Sequence, residues 1–546
     1  MEDKFFVIAI GGTGMRCLES FVHMCAIGMY DLQEIDILML DTDYSNGNKS
    51  RVEELIARYN SVKMDGETAG ECNAKTFFSA KLNLYNFGTQ YDRPGRDSYS
   101  SISGLASDQN NDNQDLASLF MDPNVQTFQL KEGYRAQTHL GSMLMYHGIV
   151  EAARDYGNNK DNAPKVADLC KFILKLVSAG NKARVFVFGS IFGGTGASSI
   201  PVIPTALRDA ATLLGPNKLD LENVKFGSTL LTQYFTFPTA SKEETAVEKV
   251  IAKSELFALN CQAALQFYKD DPTVKAYYKR FYHIGWPNNM NFNIEYEGKI
   301  QTGGAMQKNA CHVVELLAAC AAYDFFYASP SSLSNKEAKY LYRSAEIDGS
   351  SYQFVGNTFL DGQAGKEFAN KLGMFLSLAH LVLSSDGMEG AWGKPGTRQL
   401  VKFIEDDQYN QLTDEQCKTL DNYLRSFAYE YNNEEKKLVF GWIYQIFDSI
   451  GSGTFLFKND AFTKEPDRLR KLDMGLLFTD DKHWWRKDRI GKTNPNQSSS
   501  KDVFAKIMRQ DCTRPNEQTQ HLQTLKERFI AHLFNSLAKA QKFDIK

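Results

Sequence analysis

The chain has 546 residues, 43% of them hydrophobic and 23% charged, with 62 basic against 66 acidic side chains and a formal charge of −4. That balance excludes a mainly disordered chain and one drawn to nucleic acid or anionic lipid by its overall field, and the length predicts roughly two to four domains. Nine cysteines with no Cys-x-x-Cys pair fit a reducing compartment better than a disulfide framework or a zinc site.

From the start, the apolar run Phe5 to Ile10 predicts a strand, broken at once by Gly11-Gly12-Thr13-Gly14 and followed by a helical pattern from Met15 to about Met29. The run is too short for a secretory signal or an anchor. A second strand, Ile35 to Leu40, ends in Asp41-Thr42-Asp43, which makes a right-handed βαβ unit with acids at a carboxyl end. Residues 60–130 are weakly periodic, and the polar stretch Ser98 to Gln114 predicts a surface insertion. A helix is expected near 137–155. A third strand, Arg184 to Ile191, runs into Phe192-Gly193-Gly194-Thr195-Gly196-Ala197-Ser198-Ser199, with a helix beginning near Pro201.

Further along, a strand is expected over Lys225 to Phe235 and a helix over 242 to about 268, opened by Ser241 and Glu244 at capping-box spacing. The short run Phe281 to Ile284 follows, then Gly303-Gly304 and a long apolar helix over about 306–327. The stretch His312 to Tyr327 contains Glu315 and Asp324 and falls short of the roughly 20 residues of a membrane span, so a cytoplasmic protein is expected. Alternating strands and helices make residues 1–330 an α/β domain on a mostly parallel sheet. Residues 331–546 read as a second, α+β region with helices over 366–384, 413–430 and 518–541 and strand candidates over 352–359 and 437–443.

Two glycine turns, each between a parallel strand and a helix, carry the chemistry. Glycine lets backbone approach a ligand closely, and a helix start presents free N–H groups, so such a turn binds phosphate. One loop is a weak site and also fits a tight turn without a ligand; two loops in one sheet favour a shared anionic ligand. A side chain at Gly194 or Gly196 is expected to fill the phosphate space and to oppose a positive φ while sparing the fold. Gly491-Lys492-Thr493 has Arg486 where a Walker A loop needs glycine, and the nine histidines show no metal spacing. Trp484-Trp485-Arg486-Lys487 fits a partner-binding patch or the edge of a core equally well.

At Gly193-Gly194-Thr195-Gly196-Ala197 the sequence resembles the signature loop of the tubulin/FtsZ superfamily, usually Gly-Gly-Gly-Thr-Gly-Ser-Gly. Val7 to Arg16 resembles that family's first nucleotide loop, Asp41-Thr42-Asp43 the second, and Gly133-Tyr134-Arg135 with Gly141 the third. The helix carrying Asn309 and His312 to Phe326 is similar to its central helix. Phe192 and Ser198 depart from the pattern. The likeness covers residues 5–330 and is to the large, divergent bacterial members more than to FtsZ or eukaryotic tubulin.

The resemblance implies GTP or GDP held by Gly11, Gly12, Thr13, Gly14, Met15, Arg16, Arg135, Gly193, Gly194, Thr195, Gly196, Ala197 and Ser198, with Mg2+ near Asp41 and Asp43 and the guanine base read by Asn309. It also implies head-to-tail self-assembly into a homo-oligomer or filament, and slow GTP hydrolysis completed by a neighbour's acid: Asp324, Glu346 or Asp348. The loop Ala328 to Lys336 contains no carboxylate. Two other readings stand beside this one. The first is a nucleotide-sensing scaffold of the same fold that neither polymerises nor hydrolyses. The second is a Rossmann-type dinucleotide enzyme, against which Arg16 stands where the third glycine of its fingerprint belongs.

Overall fold

The computed structural model describes residues 3–43, 45–63, 75–88, 95–103, 111–130, 133–158, 164–216, 219–236, 250–287, 292–293, 295–296, 299–300, 304–383, 397–398, 400–401, 409–432, 434–457, 459–470, 522 and 524–541. Strand β1 (Lys4–Ile10) leads into α1 (Gly11–Ala26), and β2 (Glu34–Asp41) into α2 (Gly47–Lys63). Then come β3 (Lys81–Gly88), α3 (Thr138–Asn158), α4 (Pro164–Ala179), β4 (Ala183–Phe188), the single turn α5 (Thr195–Ser199) and α6 (Ile203–Leu214). They are followed by β5 (Lys225–Leu231), α7 (Phe257–Asp270), β6 (Tyr278–Ile284), α8 (Val313–Phe326) and β7 (Lys339–Arg343).

The seven strands form one all-parallel sheet in the order β7-β6-β5-β4-β1-β2-β3. The chain adds β2 and β3 on one side of β1, then crosses back to lay β4 on the other. β1 and β4 therefore flank a topological switch point. Both faces of the sheet are covered, which is why Phe5 to Ile10 of β1 are continuously apolar rather than alternating. Phe5 stacks on Phe326 of α8 at 4.5 Å and 18°, while Phe6 meets Phe172 of α4 edge-on at 5.6 Å.

The insertion expected over 60–130 contains β3, which completes one edge of the sheet. Its pattern reads weakly because an edge strand buries less than a central one: Leu82 and Phe87 are buried, and the four residues between them only partly so. Short helices over 99–103, 111–120 and 123–127 account for more of that segment. The helix expected from 306 begins at Val313. His312 caps it, its ring nitrogen accepting from Val314 N, and Glu315 reaches back to accept from the His312 N–H. The helix expected from 242 is found at Phe257–Asp270, behind a non-helical stretch over 250–253 and a short 3-10 turn; Ser241 and Glu244 lie outside the described residues. Over 352–359 only Ser351–Gln353 is strand, and Gly356–Phe359 turns helical.

Helices α9 (Gly362–Leu383), α10 (Asp414–Phe427), α11 (Trp442–Asp448) and α12 (Leu525–Gln541) follow the sheet. α10 and α11 close over α1. Trp442 stacks on His23 at 4.7 Å and its indole N–H donates to Ser20 Oγ at 2.9 Å, while Tyr423 Oη lies 3.0 Å from His23 Nδ1. That third layer covers Ser20 and His23 of α1, both fully buried. The sheet also runs past residue 330, since β7 is its last strand. Among the described residues no helix is long and apolar enough to cross a membrane. The segments 484–487 and 491–500 lie outside the described residues.

Candidate nucleotide cleft

At the carboxyl ends of β1, β2 and β4 lies a cleft enclosing about 130 Å³. Gly11, Gly12, Thr13, Gly193, Gly194, Thr195 and Gly196 line it, together with Asp41, Asp43, Asn46, Ser190 and Gln307. Tyr134, Arg135 and Ala136 form a third wall and Phe192, Phe235 and Phe257 an aromatic one.

The two glycine loops touch. Gly11 has φ +65°, and a Cβ there would stand 3.2 Å from Thr195 Cβ. Gly194 and Gly196 are glycines for a different reason than expected, because neither has a positive φ. A Cβ on Gly194 would lie 2.7 Å from Ala136 N, and one on Gly196 2.6 Å from Ser190 O. Both positions serve close backbone packing, so a side chain would push the loop apart. Gly14 does the same for α1, 2.7 Å from Phe188 O. In the third loop Gly133 (φ +89°) is followed by Arg135 (φ 45°) and Ala136 (φ 65°), two left-handed non-glycine residues that cost on the order of 1–3 kcal/mol each.

Asp41 is 3% exposed. Its Oδ1 accepts from Asp43 N at 3.2 Å, and its Oδ2, like the Thr42 hydroxyl, has no hydrogen-bond partner among the described residues. Burial first, and then the adjacent Asp43 carboxylate, push Asp41 up from its ordinary 3.8 to about 7. Asp43 is committed elsewhere: Oδ1 accepts from the Ser45 N–H and hydroxyl, both at 3.0 Å, and Oδ2 from Gly304 N at 2.6 Å. Of the two acids proposed for a metal, Asp41 has the orphaned oxygen and Asp43 ties the 304–312 segment over the cleft. No cluster of three or more metal-ligating side chains occurs among the described residues.

Several residues expected on the ligand lie behind the cleft instead. Met15 is in the core. Arg16, 1% exposed, pairs with Glu315 at 2.5 Å and donates to Ala310 O at 2.6 Å, linking the first glycine loop to the start of α8. Ala197 O accepts from Tyr268 Oη, and Ser198 Oγ donates back to Thr195 O. Arg135 lines the cleft, and its guanidinium donates to Val250 O at 3.0 Å. Asn309 is held by Asn48, which donates to its Oδ1 at 3.0 Å and accepts its N–H at 3.1 Å.

The polar side chain before α8 that lines the cleft is Gln307. Asn46 Oδ1 caps α2, accepting from Asn48 N and Lys49 N, so its Nδ2 donates to Gln307 Oε1 at 2.7 Å and fixes that amide. The signals that could have revealed this pair were Asn46-Gly47, a helix start, and Gly303-Gly304 just upstream of Gln307. Nothing in the pattern marked Phe235 or Phe257.

The three candidate hydrolytic acids do not meet. Asp324 is on the last turn of α8, the end remote from the cleft, where it accepts from Arg280 at 3.0 Å and Tyr282 Oη at 2.5 Å. Glu346 and Asp348 are exposed on the first strand of a hairpin, β8 (Glu346–Asp348) and β9 (Ser351–Gln353), beyond the carboxyl end of β7. That hairpin returns toward the start of α8, with Tyr352 stacked on Trp286 and Trp286 against His312.

No protein-family model matches the chain, and no curated protein matches it.

Proposed function

We propose that the cleft binds a guanine nucleotide, GTP or GDP, in the manner of the tubulin/FtsZ superfamily, its phosphates lying across both glycine loops. The observation that carries this reading is the contact between the two loops, Gly11 against Thr195, at the switch point between β1 and β4, with an unpartnered buried oxygen of Asp41 in the wall. In doubly wound sheets a crevice at that position takes the ligand. A divalent cation bound with the nucleotide would take Asp41 Oδ2 and phosphate oxygens, and would neutralise the carboxylate that otherwise repels them. Gln307 is the better candidate for reading a base edge, since Asn309 is spent on Asn48.

A dinucleotide site is the second reading, favoured by the strand order and by an acid at the end of β2. It gives no role to the loop after β4, and Arg16 is buried against Glu315. Heat extraction of nucleotide from purified protein, followed by mass identification, separates the two: GDP or GTP supports the first, NAD(P) or FAD the second. In a competition titration GTP should outcompete ATP, because a site built to hydrogen-bond one base leaves groups unpaired with the other, about 1–3 kcal/mol. Equal binding of the two would remove the guanine assignment. A slow, self-assembling GTPase and a non-polymerising scaffold would both use this site, and they differ in whether specific activity rises with protein concentration.

A further inference from the structure

The cleft has an aromatic wall that a phosphate site does not need. Phe235 sits on a two-residue strand, Phe235–Thr236, paired in parallel with Phe292–Asn293. Its ring lines the cleft and is only partly buried. Three other rings hold it edge-on: Tyr234 at 5.0 Å and 82°, Phe192 at 5.3 Å and 85°, and Phe257 at 6.2 Å and 90°. The Arg16 guanidinium lies 5.8 Å from its centroid and is itself fixed by Glu315 and Ala310 O. A ring held on this many sides is preorganised, so presenting its surface to a ligand costs little further ordering.

Beside a bare anion such a ring is unfavourable, because it takes the place of water without offering a hydrogen bond. Beside a planar base it is favourable, since stacking on an aromatic side chain strengthens binding by about ten-fold or more per base and tolerates base identity. We propose that Phe235 is the stacking surface for the base of the bound nucleotide, and that it makes the cleft select a nucleotide over the corresponding inorganic polyphosphate. This rests on the nucleotide reading above and names the side chain that recognises the nucleoside.

Calorimetric titration of the full chain with GTP and with inorganic tripolyphosphate, both with Mg2+, tests it. The wild type should bind GTP about ten-fold tighter or more. Phe235→Leu should weaken GTP about ten-fold while leaving tripolyphosphate within about two-fold, which also reports that the glycine loops are folded. Phe235→Trp should keep the preference, and its fluorescence should respond to GTP and not to tripolyphosphate. Equal weakening of both ligands by Phe235→Leu, or no change in either, overturns the assignment. If the wild type binds tripolyphosphate as well as GTP, the base makes no contact and the proposal fails while a phosphate site stands; if it binds neither, the nucleotide reading itself fails.

Discussion

Gly11 and Gly196 sit in similar motifs, yet their substitutions should behave differently. At Gly11 the obstacle is mainly conformational: φ is +65° and the nearest neighbour is a Thr195 side chain at 3.2 Å. Gly11→Ala should therefore cost about 1–2 kcal/mol in a urea titration and lower nucleotide affinity. At Gly196 a Cβ would meet the Ser190 backbone at 2.6 and 2.8 Å, and backbone in the turn after a central strand cannot give way. Gly196→Ala should lose more stability than Gly11→Ala, and equal urea midpoints for the two would contradict this packing account. Asp41 carries a pH dependence. With an ordinary value of 3.8 and a folded value of about 7, the folded chain keeps a proton that the unfolded chain has released. Stability in the absence of ligand should thus fall as pH rises from about 4 to 7, by roughly 4 kcal/mol in the limit. Asp41→Asn should remove that slope and exceed the wild type in stability above pH 7. Parallel urea midpoints for the two proteins from pH 5 to 8 would show that Asp41 is not raised.

Helix α1 begins at the ligand loop and is sandwiched between the sheet and the C-terminal helices, so it couples them. Its buried polar groups are each answered from another element: Ser20 by Trp442, His23 by Tyr423 and Trp442, Arg16 by Glu315, and Glu19 by Arg51 at 2.5 Å. The start of α8 is likewise held from α11, where Gln445 accepts from Cys311 N and Ser449 from Val313 N, both at 2.9 Å. Trp442→Ala should cost about 3–5 kcal/mol, measured by denaturant unfolding, because it opens a cavity against His23 and leaves Ser20 without its donor. Burial, and then Arg51, lower His23 to about 3. Its contribution is complete above its ordinary 6.5 and is lost progressively as pH falls toward 3, so this layer should be acid-labile.

Over the whole molecule, the cleft opens at the carboxyl end of the sheet while α8 ends at the opposite side, with Arg184 from β4 donating to Phe326 O at 2.8 Å and Ala328 O at 2.7 Å. A head-to-tail contact would bring the end of α8 to a neighbour's cleft, and contacts of that kind propagate rather than close. It would not bring Glu346 or Asp348 there as well, because their hairpin lies on the cleft side. Asp324 is the acid at the correct end, but Arg280 and Tyr282 engage its carboxylate. Asp324→Asn should therefore cost about 1–3 kcal/mol of stability. If the chain assembles, GTPase activity per molecule should rise with protein concentration and remain slow, and Glu346→Ala and Asp348→Ala should leave it unchanged. A flat specific activity across about a hundred-fold range, with a monomeric sedimentation profile in GTP, would favour the nucleotide-sensing scaffold.

The central βαβ unit and both glycine turns were legible in the sequence because they are local. A six-residue apolar run cut off by a glycine turn is short for a helix and fits a strand buried on both faces, and glycine between strand and helix leaves few backbone solutions. Where the helices over 137–155 and 413–430 lie was equally clear from spacing, since each buries one face. What lies across the chain was not legible. Spacing predicts the first turns of an apolar helix over 306–312, yet 305–306 form a turn and 307–312 carry no regular structure, held by hydrogen bonds of Gly304 to Asp43 and of Asn309 with Asn48, some 260 residues earlier in sequence. Only the tertiary structure assigned Asp43 to a backbone rather than leaving it open, turned Arg16 inward to Glu315, and set Gln307 and Phe235 in the cleft wall. Spacing along a chain reports which side chains share a face; which partner satisfies a buried polar group depends on what the fold brings against that face.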